Sequence, residues 1–186
     1  NSAVKTAAQG IKAAGKGVAS TAMSVAKGAG IGGIIAGPAG VVGGGIIVDG
    51  KPLVGAHGAG GEIGHLCMNY EETEKCGCGN TGCLEQYASA TGIVKLAEKR
   101  LKQDHVDSVL REKSVSAKAV FDALKAGDAV AAEIVEEFGR YLGHGLANLA
   151  VVTDPSVIVI GGGVSNAGDI LLDYVKKYFQ EKAFFA

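Results

Sequence analysis

The chain has 186 residues, of which 47% are apolar and 20% charged, and its net charge is -1. These proportions are ordinary for a soluble globular protein, and the charge gives no electrostatic reason to expect a nucleic acid or an anionic membrane as a partner. Glycine is the exception, because its 30 residues are roughly twice what an average usage of about 7% would give. We therefore expect tight turns, or places where the backbone approaches a ligand.

Residues 1–40 form a low-complexity segment rich in Ala, Gly, Val and Lys, without an aromatic residue. Within it, Ala3 to Lys27 could form an amphipathic helix interrupted by glycines, each of which costs about 1 kcal/mol relative to alanine. Two similar stretches follow at 30–35 and 43–47, and the sequence offers no physical reason for this duplication. A mobile segment is the alternative interpretation.

From Val41 onward the sequence alternates more regularly between turns and apolar runs. An Asp-Gly turn at 49–50 between two apolar runs predicts a β-hairpin over 46–54, and a loop-rich stretch continues to Glu85. Ser89 or Thr91 is suited to cap the helix that follows. Three predicted helices, a strand and a fourth helix complete the chain, at about 89–103, 117–126, 129–151, 157–160 and 168–182.

The predicted strand at 157–160 is a short continuous apolar run, as expected for a buried strand. Gly161, Gly162 and Gly163 turn the chain toward the last helix, so helix, strand, glycine turn and helix together indicate an α/β lobe. Glycines let the backbone approach a ligand, and a helix N-terminus favours negative charge. The turn is therefore a candidate nucleotide-binding site, although tight packing would also require glycines there.

Three of the four cysteines lie within eight residues of the sequence. The chain does not open with the cationic segment and apolar run of a signal peptide, so we expect a reducing cytoplasm and metal ligands rather than disulfides. One nitrogen and three sulfurs, a common tetrahedral zinc set, are supplied by His65, Cys76, Cys78 and Cys83, hereafter the metal set. The alternative is three buried thiols and a surface histidine. Cys67 lies outside the pattern and is expected to be a buried small hydrophobe.

Two carboxylates flank the metal set, Glu62 three residues before the histidine and Glu85 two residues after the last cysteine. A metal that pins both ends of this loop would also fix both carboxylates, which can then accept hydrogen bonds from neighbouring sugar hydroxyls. His65 could direct one ring nitrogen to zinc and the other to a hydroxyl. The alternative is that both glutamates are solvated or only support the metal ligands. Four protein ligands would make the zinc structural rather than catalytic.

Three stretches, Gly61 to His65, Cys76 to Glu85 and Ala88 to Gly92, resemble the signature of the ROK family of repressors and sugar kinases. Within that family they are most similar to glucokinases of Gram-positive bacteria, and the likeness covers about Val42 to Phe185. The resemblance implies an α/β, actin-like ATPase (ribonuclease H-like) lobe over 41–186 with an inserted zinc-binding loop at 61–85.

The same resemblance implies a function and a set of contacts. It implies transfer of the γ-phosphate of ATP, bound with Mg, to the 6-hydroxyl of glucose, and it makes a homodimer the expected assembly, with helix 129–151 as a plausible contributor. Glu62, His65 and Glu85 would contact the sugar, and the metal set would hold a structural zinc. A Gly-Gly-Gly-Val-Ser-like motif of the family, on the adenosine side, falls on 161–165.

The resemblance is weaker toward the N-terminus. Gly28 and Gly30 stand where the family has a phosphate-contacting Gly-Thr-Gly loop, with Ala29 replacing the threonine, so this segment resembles a degraded phosphate loop. The family's Asp-x-Gly-Gly-Thr loop does not occur, and Ser2 stands near the place of the aspartate that acts as catalytic base. Serine cannot accept a hydroxyl proton as a carboxylate does. We therefore assign no catalytic residue and expect no kinase activity from these 186 residues alone.

Three alternative functions stay open at this point. A ROK repressor that responds to a sugar would carry the same zinc loop behind a helix-turn-helix, of which these residues show no sign. A purely structural zinc module would leave Glu62 and Glu85 facing solvent, whereas a kinase needs them to converge beside His65 on a cleft. Among kinases, N-acetylmannosamine, fructose or allose could replace glucose. His144, between two glycines of the long predicted helix, is expected to be a packing residue.

Overall fold

The computed structural model describes residues 22–25, 45–48, 51–112 and 114–184. Four α-helices lie in this part of the chain: α1 (Ala90–Leu101), α2 (Ala117–Lys125), α3 (Ala129–Thr153) and α4 (Asp169–Lys182). The strands are β1 (Ala22–Val25), β2 (Ile47–Val48), β3 (Lys51–Pro52) and β4 (Val157–Ile160). Single 3-10 turns occur at Ile63–His65, Leu84–Gln86, Val109–Arg111 and Gly163–Ala167.

The predicted buried strand is confirmed as β4, and its partner is β1. The two strands run parallel, with Ala22 opposite Val157 and Val25 opposite Ile160. The helix expected over 3–27 is therefore wrong at residues 22–25, because the backbone N–H and C=O groups of a buried strand need partners and a neighbouring strand supplies them. The rest of that range, together with Gly28 and Gly30, lies outside the described residues.

The predicted hairpin is confirmed in a shorter form. Ile47 pairs with Pro52 and Val48 with Lys51 in antiparallel register, and Leu53 extends the pairing by donating its N–H to the carbonyl of Ile46 at 2.8 Å. The Asp-Gly turn at 49–50 lies outside the described residues.

Polar caps set where three of the helices begin. The hydroxyl of Ser89 accepts a hydrogen bond from the N–H of Gly92 at 2.8 Å, so Ser89 rather than Thr91 caps α1. Ser116 caps α2 in the same way, and Asp128 caps α3. These caps satisfy N–H groups that have no partner within the helix.

Helix α3 is the central element of the core. Its buried face includes Ile134, Phe138 and Leu146, and it packs against α1, α2 and α4. Gly143 permits the close approach of α4, because a Cβ atom there would lie 2.7 Å from the Cβ of Tyr178. The helix runs to Thr153 and ends where Asp154 adopts a left-handed conformation with φ of 40°. None of the described helices has the length and apolar character needed to cross a membrane.

Candidate functional site

Two short antiparallel contacts close the loop that carries the metal set. Met68 donates its N–H to the carbonyl of Gly82 at 2.7 Å, and Leu84 donates to the carbonyl of Leu66 at 2.8 Å. These hydrogen bonds place Cys67 opposite Cys83. The two ends of the loop, separated by 16 positions from 67 to 83 in the sequence, are thereby held side by side before any ligand is considered.

A tight turn inside this loop carries Cys76 and Cys78. Cys76 donates its N–H to the carbonyl of Asn80 at 2.8 Å, and Gly79 donates back to the carbonyl of Cys76 at 2.9 Å. Gly79 has a φ of 90°, a conformation that L side chains rarely adopt. The turn therefore folds Cys76 and Cys78 toward the same side of the loop.

Gly82 is required for a different reason. Its φ is 72°, and a Cβ atom at this position would lie 1.9 Å from the carbonyl oxygen of Asn69. Only glycine fits this conformation and this approach. The residue directly before Cys83 is thus fixed by backbone packing.

The loop is anchored on the helical core through its C-terminal end. The side chain of Leu84 packs where Gly145 of α3 leaves room, since a Cβ on Gly145 would lie 2.9 Å from the Cδ2 of Leu84. The ring of Tyr87 stacks on that of Tyr141 of α3 with centroids 4.0 Å apart. Leu84, between Cys83 and Glu85, and Tyr87, two residues after Glu85, are therefore both packed against α3.

The hydroxyl of Tyr87 also fixes the far side of the loop. It donates a hydrogen bond to Glu72 at 2.7 Å and accepts one from the Asn69 amide at 3.2 Å. Burial, and then the contact with Glu72, raise the pKa of Tyr87. Hydrogen bonds from the backbone N–H of Glu74 and from Tyr87 lower the pKa of Glu72. The ionised carboxylate is therefore the favoured form in this contact.

The four predicted metal ligands come together. The ligand atoms of His65, Cys76, Cys78 and Cys83 all lie within 4.8 Å of one another. Cys76 Sγ is 3.8 Å from His65 Nδ1, and Cys78 Sγ is 3.6 Å from Cys83 Sγ. Tetrahedral zinc with bonds of about 2.0–2.3 Å to nitrogen and sulfur places neighbouring ligand atoms about 3.5–3.8 Å apart. The donor types and these two separations both fit a zinc ion.

The three thiols of the metal set have different surroundings, which shift their pKa values in different directions in the absence of a metal. Burial, followed by the contact with Glu85, raises the pKa of Cys76 to about 12, and burial also raises the pKa of Cys83. A hydrogen bond from the backbone N–H of Asn80 lowers the pKa of the exposed Cys78. A metal that binds these sulfurs as thiolates must displace the protons that burial retains.

The two predicted sugar-binding carboxylates have different positions. Glu85 joins the cluster: its Oε1 accepts a hydrogen bond from the Cys76 thiol at 2.7 Å and lies 3.7 Å from Nδ1 of His65. Glu62 is exposed at the start of the 3-10 turn that carries His65, and its carboxylate makes no hydrogen bond or ion pair with the described residues. The structure therefore brings His65 and Glu85 together and leaves Glu62 open to solvent.

The expectation that Cys67 is buried is wrong. Cys67 is exposed, and within the described part of the chain its thiol makes a long contact of 3.8 Å with the carbonyl of Thr81. Its partner in the pairing of residues 66–68 with 82–84 is Cys83, which is fully buried. Apolar character alone could not indicate this, since it does not tell which of two paired thiols the rest of the fold covers.

The glycine turn after β4 keeps an open backbone. Gly162 has a φ of 80° and so requires glycine, whereas a Cβ on Gly163 would meet nothing within 4 Å. Packing therefore does not explain the glycine at Gly163. The chain then forms the 3-10 turn Gly163–Ala167, and α4 begins after Gly168, as predicted. The N-terminus of α4 is therefore separated from the glycine triplet by this turn.

Sequence reasoning did not identify Gln86, which braces the loop from within. Its Oε1 accepts a hydrogen bond from the N–H of Cys83 at 2.9 Å, and its Nε2 donates to the carbonyl of Glu74 at 2.9 Å. The one sequence signal was its position three residues after Cys83, where a side chain can reach back to the residue that precedes a helical turn. Asn69 and Tyr87 carried no comparable signal.

Comparisons with known proteins agree with this fold. The sequence model that defines the ROK family matches residues 38–185 of this chain. A glucokinase from Halalkalibacterium halodurans is 46% identical over 147 residues, covering 76% of this chain and 44% of the relative. A xylose repressor from Caldicellulosiruptor bescii is 32% identical over 148 residues, covering 78% of this chain and 37% of the repressor. The chain thus spans less than half the length of these two curated relatives.

A solved structure shows the same relationship in three dimensions. The ROK family glucokinase from Streptomyces griseus, in complex with glucose and AMPPNP, matches with a TM-score of 0.72 and 31% identity, covering 92% of this chain and 53% of that one. The fold is therefore that of the actin-like ATPase sugar kinases. The chain belongs to the ROK family.

Proposed function

We propose that the protein carrying this chain is an ATP-dependent sugar kinase that phosphorylates glucose at its 6-hydroxyl. The observation that carries the proposal is the contact of His65 and Glu85 within the clustered metal set, 3.7 Å apart. An imidazole and a carboxylate fixed side by side offer a hydroxyl-rich ligand both a donor and acceptors. The relative from Halalkalibacterium halodurans is named a glucokinase, which supports glucose as the substrate.

A structural zinc held by His65, Cys76, Cys78 and Cys83 is part of the proposal. It is supported by the donor set, by the separations of 3.6 and 3.8 Å between neighbouring ligand atoms and by the glycine-dependent turns that assemble them. When bound, the ion would supply a rigid four-ligand crosslink and no open coordination position. Its contribution to the reaction would be to fix the loop that carries the sugar-binding groups.

The sugar would be held by Glu62, His65 and Glu85. Since Nδ1 of His65 faces Cys76 and Glu85, Nε2 is the ring nitrogen left for a sugar hydroxyl. Glu85 is half-buried and anchored, so its carboxylate can accept hydrogen bonds in a fixed direction. Glu62 is exposed and its carboxylate makes no hydrogen bond or ion pair with the described residues, so its proposed contact with the sugar rests on the family resemblance alone.

The proposed nucleotide site is supported by fewer observations than the sugar site. The open backbone at Gly163 and the glycine conformation of Gly162 support Gly161, Gly162 and Gly163 as the place where ATP, with Mg, is bound. The related structure that holds AMPPNP supports an adenine nucleotide as the second substrate. The proposed phosphate contacts of Gly28 and Gly30 lie outside the described residues and stay predictions, as do a homodimeric assembly and a cytoplasmic location.

The decisive experiment measures phosphoryl transfer by the intact protein that carries this chain. With ATP and Mg, we expect glucose 6-phosphate to form, and we expect fructose and N-acetylmannosamine to react with lower kcat/KM. Glu85→Gln should raise the KM for glucose without removing the metal. Glu71→Gln, at an exposed position of the same loop, is the matched control and should leave the KM unchanged. Absence of turnover with every hexose would contradict the kinase proposal.

A sugar-responsive repressor is the second candidate, because the xylose repressor covers as much of this chain as the glucokinase does. A repressor would use the same loop to bind a sugar without transferring phosphate. Sugar binding in a calorimeter, together with no ATP consumption and specific binding to operator DNA, would favour this alternative.

A further inference from the structure

Cys67 and Cys83 face each other across the pairing that closes the loop. The flanking hydrogen bonds, from Met68 to Gly82 and from Leu84 to Leu66, define a non-hydrogen-bonded antiparallel pair. In such a pair the Cα atoms lie about 4.5 Å apart and the side chains leave the same face of the pairing. Disulfides span Cα separations of about 4.4–6.8 Å. The backbone therefore already holds the two cysteines at a disulfide distance.

The two thiols have opposite access to solvent. Cys67 is exposed, and within the described part of the chain its thiol contacts the carbonyl of Thr81 at 3.8 Å. Cys83 is fully buried and lies against Cys78, 3.6 Å away. Cys78 is exposed as well, but it would be bound to the proposed zinc, so Cys67 is the exposed thiol that stays free to meet an oxidant, and Cys83 is the neighbour that can resolve the oxidised product.

We propose that Cys67 is a redox-sensing thiol that reacts with a hydroperoxide and then captures Cys83 as a disulfide. The proposal rests on the metal site proposed above. Cys67 does not belong to the metal set and is not needed to hold the ion. Its role follows from its place opposite one of the ligands.

The chemistry takes two balanced steps. The sulfur of Cys67 attacks one oxygen of the hydroperoxide, the O–O bond breaks, and the products are a sulfenic acid and water (an alcohol for an organic hydroperoxide). The Cys83 thiolate then attacks the sulfenic sulfur, an S–S bond forms, and the S–O bond breaks to release hydroxide. Two sulfur atoms each lose one electron, and the hydroperoxide gains both.

The consequence is the loss of one of the four proposed metal ligands. A sulfur in a disulfide no longer binds zinc as a thiolate, so three ligands stay and the ion is held less tightly. Glu85 lies two residues after Cys83, so the same event loosens the sugar-binding side of the loop. Reduction of the disulfide by a dithiol would restore both the fourth metal ligand and the sugar-binding side of the loop.

The test treats the zinc-loaded intact protein with hydrogen peroxide and follows two readouts. A chromogenic chelator measures released zinc, and mass spectrometry after alkylation maps the disulfide. We expect a loss of 2 Da, a peptide pair linked through Cys67 and Cys83, and release of the ion that dithiothreitol reverses in the presence of zinc. In Cys67→Ser, which keeps all four ligands, zinc release should slow by roughly tenfold or more, since the exposed thiol outside the metal set is gone.

Three results would overturn the proposal. Zinc release by Cys67→Ser at the wild-type rate would show that the ligands themselves are oxidised first. A disulfide from Cys67 to Cys76 or Cys78 would show that the register does not select the partner. Stable oxidation of Cys67 that forms no disulfide would contradict the proposed capture of Cys83. Zinc content measured before oxidation tests the metal site separately, and disulfide mapping is interpretable whether or not zinc is bound.

Discussion

The thiol of Cys76 donates a hydrogen bond of 2.7 Å to the carboxylate of Glu85. One partner belongs to the proposed metal set and the other to the proposed sugar site. A zinc ion that takes the Cys76 sulfur as thiolate removes the proton in this hydrogen bond, and the Glu85 oxygen becomes free for another donor. The two proposed sites are therefore expected to be coupled, with metal binding preparing Glu85 for a sugar hydroxyl.

Removal of the metal should weaken sugar binding. Coupling free energies between sites are commonly about 1–3 kcal/mol, or roughly 5–150-fold in affinity, so we expect the Kd for glucose to rise by a factor in that range after chelation. Calorimetric titration of zinc-loaded and chelated protein measures it. Because coupling of binding free energies is reciprocal, glucose should raise the affinity for zinc by the same factor, measured by equilibrium competition with a chelator. Equal values of Kd in the two forms would show that the metal and the sugar bind independently.

Replacement of Cys78 tests the metal set with little change in packing. Its side chain is exposed, so Cys78→Ser leaves no cavity, and its main expected effect is the loss of one zinc ligand. We expect the zinc content to fall well below one per chain and the Tm to drop. Cys67→Ser, also at an exposed cysteine, should retain a full equivalent of zinc. If both variants keep the metal equally, Cys78 is not a ligand.

The sequence predicted the elements whose signals are local. The apolar run of β4 and the cap Ser89 act within a few residues, and the spacing of the metal set reflects a loop that folds on itself. The pairing of β1 with β4 depends on segments 135 positions apart, from 22 to 157, which no local pattern specifies. The exposure of Cys67 and the hydrogen bonds of Gln86 depend on the three-dimensional path of the loop. No local sequence pattern specifies that path.

Gly82→Ala should disrupt the loop. The new Cβ atom would lie 1.9 Å from the carbonyl oxygen of Asn69, at a φ of 72°, so the backbone must move. Such strain costs about 1–3 kcal/mol for the conformation alone, and each kcal/mol lowers the Tm by about 2–4 °C in a chain of this size. Thermal unfolding and zinc content should both decrease. Gly77→Ala is the matched control, because its Cβ would meet nothing within 4 Å.

Asp128 joins two elements, and its removal should destabilise the fold. Its Oδ1 accepts the N–H of Ala131 at the start of α3, while its Oδ2 accepts the hydroxyl of Ser108 at 2.8 Å and the N–H of Val109 at 2.9 Å. Loss of an N-cap costs about 0.5–2 kcal/mol, and each further hydrogen bond about 1 kcal/mol. We expect Asp128→Ala to lose about 2.5–4 kcal/mol of unfolding free energy at neutral pH. Asp128→Asn should lose less, because an amide oxygen still caps the helix.

The same carboxylate should contribute a pH dependence. Burial opposes its charged form, but the hydrogen bonds from Ala131, Ser108 and Val109 outweigh it, and the pKa of Asp128 is lowered from its ordinary value of 3.8. A group whose pKa is lowered by folding stabilises the protein above its unfolded pKa, and this contribution is lost as the pH falls through the folded value. Denaturant unfolding at pH 7 and near pH 3 should therefore show a difference between wild type and Asp128→Asn that shrinks at the lower pH. A difference that stays constant would show that the ionised form of Asp128 adds nothing to the hydrogen bonds.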